Sequence, residues 1–241
     1  MNTMLGIIAG TGFAKLLKGE ERTVPTPHGN ALVKMISVNG KEIAFLPRHG
    51  LSHSIPPHKI NYKANISALH LLGVNNIFAT YACGVIDKYD PGDIIILDDV
   101  IALDKLITFF DDFSKGIKHT DMTEPYSKSL GAVIEKASKK VSIPVKKDGI
   151  ITTTFGPRYE TRSEIKALKF LGANLVNMTS AYEVVLAREL GINFAGVAVG
   201  TNYACGISKN PLTHEEVEAM MKEKENELRT LLLEASSILE D

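Results

Sequence analysis

The chain has 241 residues, 44% of them hydrophobic and 23% charged, an ordinary balance for a globular protein able to bury a core. A formal net charge of −1 excludes the basic profile of a non-specific nucleic-acid binder, while a local cluster of cations can still hold a small anion. No run approaches the ~18 apolar residues of a membrane span, and "MNTMLGIIAG" lacks the charged start and long apolar stretch of a signal peptide.

In chain order, "LGIIA" is a short apolar run ending at Gly10 and reads as a buried strand. "ALVKMISV" and "EIAFL" flank Asn39-Gly40, a hairpin signal because Asn-Gly suits the positive φ angles of a type I′ turn. Residues 61–72 turn helical, with Gly73 placed to end the helix. "NNIFAT" and "DIIIL" read as core strands. A polar loop follows over 111–124, then a helix near 127–139 and the strand "GIITTT". Thr161-x-x-Glu164 is a capping box opening "SEIKALKFLG", which Gly172 ends. "LVNMT" is a strand, "YEVVLAREL" a helix ended by Gly191, and "FAGVAVG" a strand. Thr213-x-x-Glu216 caps a long final helix whose apolar positions are Val217, Met220, Met221, Leu228, Leu231 and Leu232. The expectation is one α/β domain over residues 1–241, with a mixed sheet flanked by helices. Cys83 and Cys205 form no C-x-x-C pair; a disulfide is formally open, and reduced thiols in a cytoplasmic chain are the simpler expectation.

"GIIAGTGF" invites a dinucleotide site, but Lys15 occupies the third glycine position and Asn30 stands where an acid should hold a ribose. What remains is a tight loop whose amides and Thr11 hydroxyl suit an oxyanion, or form a plain turn. "LPRHGLSHSIPPHKINYKANI" carries Arg48, His49, His53 and His58 on a segment kept from helix by Gly50, Pro56 and Pro57. Arginine presents a planar fork matched to phosphate oxygens. The His49/His53 spacing confers no shared face on a loop, and no cysteine lies nearby, so no metal site is expected. For His53 and His58, ordinary loop packing remains as good a reading as ligand contact. In "TYACG" (80–84), small residues after a strand let a ligand approach the backbone. Met178 and Thr179 can be core and cap, and Tyr159 and Tyr62 plain packing. Two further loops carry Tyr159 with Glu160 ("FGPRYETR") and Asn202 ("GTNYACG"). Polar or glycine-containing loops follow at least five strands, the way open α/β sheets build sites at strand ends.

Together these motifs resemble the trimeric nucleoside phosphorylase family, in the branch of methylthioadenosine phosphorylases and their 6-oxopurine-specific relatives. The stretches that carry it are "IIAGTG", "LPRHGLSHSIPPHKINYKANI", "HTDMTEPY", "GPRYETR", "NMTSAYEVVLAREL" and "GTNYACG". The resemblance implies that Thr11, Arg48, His49, the backbone at Ala82 and Thr179 cradle phosphate. Met178 then lies against the ribose and Tyr159 against the base, while His119 reaches the site of a neighbouring subunit in a trimer or a hexamer of two trimers. A matching "HEEV" segment in inosine and guanosine phosphorylases implies that His214 bonds the 5′-hydroxyl; the methylthio-specific branch is apolar there. Tyr81 and Val85 stand where members commonly carry Thr and Ser beside phosphate, and Tyr182 replaces a usual proline. Glu160, Asn202 and Ala204 match members that take inosine and guanosine, where methylthioadenosine phosphorylases carry Ser, Asp and Asp.

The chemistry of the base agrees. A 6-oxopurine presents N1–H as donor and O6 as acceptor, and adenine the reverse. An ionised Glu160 only accepts, and Asn202 can donate to O6 or N7. The implied reaction is reversible phosphorolysis of inosine or guanosine to free purine and ribose 1-phosphate, a purine-salvage reaction. Phosphate is itself the nucleophile, so no cofactor is expected. The alternatives are the same chemistry on S-methyl-5′-thioinosine, and a non-catalytic or dinucleotide-binding α/β protein.

Overall fold

The computed structural model describes residues 4–10, 19–103, 107–114, 116–208 and 211–239. Its strands are β1 (Met4–Ala9), β2 (Glu20–Thr26), β3 (Gly29–Val38), β4 (Lys41–Pro47), β5 (Val74–Val85), β6 (Ile94–Ala102), β7 (Lys146–Thr153), β8 (Leu175–Asn177) and β9 (Asn193–Tyr203). The helices are α1 (Tyr62–Leu71), α2 (Lys128–Val141), α3 (Arg162–Phe170), α4 (Ser180–Glu189) and α5 (His214–Ile238).

The punctuation residues act as their chemistry requires. Asn39 and Gly40 both take positive φ, 51° and 82°, and join β3 to β4. Asn61 caps α1 by accepting from Ala64 N, and Gly73 follows it at φ 84°. Thr161 and Glu164 bond reciprocally as a complete capping box at α3. Arg158 grips the outer side of the same Glu164 at 2.7 and 2.8 Å, and this pairing holds the carboxyl down at about 2. Thr213 accepts from Glu216 N at the start of α5.

The sheet runs β2-β3-β4-β1-β5-β8-β7-β6-β9, and β9 pairs again with β5. The five strands β5, β8, β7, β6 and β9 therefore close into a ring, which departs from the open sheet expected from the strand-loop pattern. The ring combines parallel and antiparallel pairing. β5–β9, β6–β7 and β7–β8 are parallel, whereas β5–β8 and β6–β9 are antiparallel. Side chains alternate faces along each strand. Leu5, Ile7 and Phe45 thus join the core under α2 and α5, and Ile8 and Leu46 the core under α1 and α4. On α5, Met221, Leu228, Leu231 and Leu232 are buried as expected, while Val217 and Met220 are only partly covered.

Three expectations need correcting. Residues 80–84 are not a loop but the last part of β5, and Asn202 lies on β9 rather than beyond it. The strand around "LVNMT" shrinks to three residues, Leu175–Asn177, with Thr179 capping α4. Strand β2 gave no periodic signal, because it is mostly exposed and carries Pro25, a residue tolerated on an edge strand. Both cysteines are free thiols, and no helix among the described residues is long and apolar enough to cross a membrane.

Candidate active site

The site begins where β5 loses a neighbour. β1 pairs with β5 only as far as Ala79, and β8 joins at Gly84. Residues 80–83 keep a ladder on the β9 side alone. Backbone groups alternate sides along a strand. The Thr80 carbonyl points into the gap, where Arg48 Nη1 donates to it at 2.9 Å, and the Ala82 amide is directed the same way.

A cavity of about 630 Å³ opens here. Arg48, His49, Ala82, Tyr159, Glu160, Met178, Thr179, Asn202 and His214 all line it. Thr11 lies outside the described residues. His119 is exposed and stands elsewhere on the chain, its ring 5.7 Å from that of Phe113. Val85 and Tyr182 pack in the core and do not line the cavity; Tyr182 stacks on buried Tyr62 at 4.9 Å.

One part of the cavity brings Arg48 and His49 together. A Cβ built on Gly10 would stand 3.2 Å from Arg48 Nη1 and 3.8 Å from His49 Nε2, so the missing side chain leaves both nitrogens bordering one space. Arg48 is 3% exposed, yet it is fully compensated: Glu183 accepts from Nε at 2.5 Å and from Nη2 at 2.9 Å. Burial opposes its charge, and Glu183 outweighs that, so the guanidinium is held even more firmly protonated than an ordinary arginine. His49 Nδ1 lies 2.8 Å from the Ile55 carbonyl, which can only accept. Burial first, then Arg48, push the imidazole down to about 4. His49 is therefore neutral at pH 7, with its proton on Nδ1 and an acceptor lone pair on Nε2. Thr179 caps α4 without a side-chain cap bond. The first amides of that helix are already taken, Thr179 N and Ser180 N by Asn177 Oδ1 and Ala181 N by Thr153 Oγ1. The helix end thus offers its dipole and the Thr179 hydroxyl rather than free amides.

A second part presents a hydrogen-bonding edge. Glu160, 7% exposed, precedes the α3 cap, and the Thr154 hydroxyl donates to its Oε1 at 2.6 Å. Asn202 Oδ1 accepts from the Thr201 hydroxyl at 2.7 Å, while its Nδ2 donates to the Tyr203 carbonyl at 2.9 Å and keeps one N–H. Each of these two side chains is therefore held by a neighbouring hydroxyl. Met178 packs where Gly156 leaves room; a Cβ there would meet its sulfur at 2.5 Å.

A third part lies near the start of α5. His214 is largely exposed, 3.4 Å from Glu218, with Leu212, Val217 and Met221 as apolar lining nearby. His53 also lines the cavity, its ring 4.5 Å from that of His49. Burial, then the nearby His214, lower its pKa. No group of three His, Cys, Asp or Glu side chains among the described residues is placed to hold a metal ion.

Sequence reasoning missed Thr154, Thr201 and Glu183. Thr201 adjoins Asn202 and was findable. The other two touch their partners only through chain reversal or across distant elements.

The sequence pattern of the Phosphorylase superfamily matches residues 5–237. Similar proteins include a probable 6-oxopurine nucleoside phosphorylase of Thermococcus kodakarensis, 46% identical over 96% of this chain and 91% of that protein. A probable S-methyl-5′-thioinosine phosphorylase of Methanopyrus kandleri is 42% identical over 92% of this chain and 87% of its own length. The solved methylthioadenosine phosphorylase of Schistosoma mansoni, in complex with adenine, superposes with a TM-score of 0.91 at 32% identity, covering 100% of this chain and 93% of that one. The fold, the extent of the match and these identities agree: the chain belongs to the phosphorylase superfamily.

Proposed function

We propose that the protein catalyses reversible phosphorolysis of 6-oxopurine nucleosides, inosine and guanosine, to free base and ribose 1-phosphate. The observation that carries this reading is the pair of oriented side chains in one cavity. Glu160 has its Oε1 held by a donor and its other oxygen left to accept from N1–H. Asn202 has its oxygen held by Thr201 and one N–H left for O6 or N7. Relatives named as 6-oxopurine nucleoside phosphorylases support it, including that of Pyrococcus furiosus at 42% identity. As the glycosidic bond lengthens, positive charge grows on the sugar and negative charge on the base. A phosphate held by Arg48, Thr179 and the Ala82 amide stabilises the first, and Asn202 the second. Thr11 belongs to the same cradle in this reading. The test is a screen of inosine, guanosine, adenosine, methylthioadenosine and methylthioinosine with and without phosphate. Hypoxanthine release from inosine should require phosphate, which also separates the reaction from hydrolysis.

Thr154→Val should lower kcat/KM for inosine by about tenfold, since it removes one charge-assisted hydrogen bond from buried Glu160, and Thr154→Ser should restore it. Equal activity of all three proteins in steady-state assays would remove Thr154 from base recognition.

A second reading, cleavage of S-methyl-5′-thioinosine, is favoured by the apolar Leu212, Val217 and Met221 around His214 and by the Methanopyrus relative. His214 decides between them. Its imidazole can bond a 5′-hydroxyl, whereas a thioether is a weak acceptor. His214→Val should lower kcat/KM for inosine roughly tenfold and spare or improve that for methylthioinosine. A wild-type enzyme preferring methylthioinosine by about tenfold would reverse the assignment.

The same reading places the enzyme in the cytoplasm, in purine salvage, without metal or organic cofactor. It assembles as a trimer or a hexamer of two trimers, with His119 serving a neighbouring site; exposed Phe113 and Ile117, beside His119 in sequence, support such a contact.

A further inference from the structure

We infer that Tyr81 and Glu183 form a buried clamp that aims Arg48, and so set the phosphate affinity of the site. This rests on the reading of Arg48 as a phosphate ligand.

Arg48, Tyr81 and Glu183 are respectively 3%, 2% and 2% exposed. Glu183 holds the guanidinium side-on through Nε and Nη2, and the Thr80 carbonyl takes one N–H of Nη1. Three of the five donors of the fork are thereby spent. One N–H remains on each terminal nitrogen, and Nη1 borders the space beside Gly10. Tyr81 acts on both partners. Its hydroxyl donates to Glu183 Oε2 at 2.7 Å, and its ring lies 4.6 Å from the guanidinium carbon. Burial and then the Glu183 charge push the phenol well above its usual range, so it stays a donor to the carboxylate.

Two consequences follow. With no anion bound, Glu183 neutralises a cation that would otherwise be buried alone. With the fork already fixed, an arriving oxyanion meets the remaining N–H of Nη1, which need not be ordered on binding. A shorter hydroxyl side chain at position 81, such as threonine, could not span from β5 to Glu183 as the phenol does.

The test uses the full chain, with KM for phosphate and for inosine measured separately and phosphate binding measured by calorimetry. Tyr81→Phe keeps the ring and deletes only the hydroxyl. It should raise KM and Kd for phosphate about 3- to 10-fold while KM for inosine moves by less than about twofold. Glu183→Gln should do the same more strongly. If it does not fold, Tyr81→Phe carries the test alone. A purely structural role would lower the unfolding temperature or the active fraction without splitting the two KM values, and that outcome overturns the clamp. Arg48→Ala separates the two layers. If it weakens phosphate and Tyr81→Phe does not, only the clamp is wrong; if Arg48→Ala leaves phosphate affinity unchanged, the phosphate reading falls with it.

Discussion

Replacing Glu160 with glutamine should invert the enzyme's preference between purines rather than simply weaken it. The Thr154 hydroxyl donates to Oε1 at 2.6 Å, so it will hold the amide oxygen of the new side chain in the same place. The amide nitrogen then faces the base. A donor now opposes N1–H of hypoxanthine, leaving two donors face to face in a desolvated cavity. A mispaired buried group costs about 1–3 kcal/mol, so kcat/KM for inosine should fall by about 100-fold. Adenosine presents an acceptor at N1, and its relative activity should rise. Asn202→Asp should act in the same direction, since Thr201 will hold one carboxylate oxygen and the other can only accept, as the 6-amino group requires. Initial rates on inosine and adenosine for the wild type and both variants check this. Wild-type cleavage of adenosine as efficient as that of inosine, or unchanged ratios in the variants, would refute the base-reading argument.

Arg48→Ala should have the other large effect, and it acts at two levels. Without the guanidinium, KM for phosphate should rise by about 100-fold or more while KM for nucleoside changes little, because a charge-assisted donor bordering the anion's space is lost. The fold should suffer as well. Glu183, 2% exposed, would be left as a buried carboxylate without its cation. Breaking a buried pair from one side costs about 3–5 kcal/mol. For a chain of this length that corresponds to a fall in Tm of about 10 °C. The two effects can be separated by replacing the whole cluster, Arg48→Met with Glu183→Leu and Tyr81→Phe. Apolar substitution of a buried ion pair is commonly near neutral. The triple variant should thus recover most of the lost stability in thermal unfolding yet keep the high KM for phosphate. Recovery of phosphate affinity along with stability would show that Arg48 supports the fold and not the anion.

Much of the fold was legible because local chemistry is local in sequence. The capping box at Thr161 and the N-caps at Asn61 and Thr213 bind amides three residues away, and Asn39-Gly40 turns the chain within a single hairpin. Apolar runs such as 5–9 and 43–46 marked strands covered on both faces. β2 escaped because an exposed edge strand needs no apolar alternation. The ends of β5 and β9 escaped for a different reason. Small and polar residues such as Thr80, Gly84 and Asn202 look like loop, but pairing between β5 and β9 carries both strands through the site, with a register shift at Cys83/Gly84.

The sequence by itself singled out the residues proposed to carry the chemistry, and all of them line one cavity: an arginine and histidine beside a glycine, a carboxylate and an amide of opposite hydrogen-bonding sense, and a histidine at the start of the last helix. Only the tertiary structure decided how those groups are held. Arg48 meets Glu183 across 135 residues of chain, and Tyr81 meets the same carboxylate across 102. Thr154 reaches Glu160 only because the chain reverses at Gly156-Pro157. Contacts of that kind depend on which strands neighbour one another and where β1 leaves β5 uncovered. That arrangement is set by the packing of two cores against a closing sheet, and no spacing of residues within one segment encodes it.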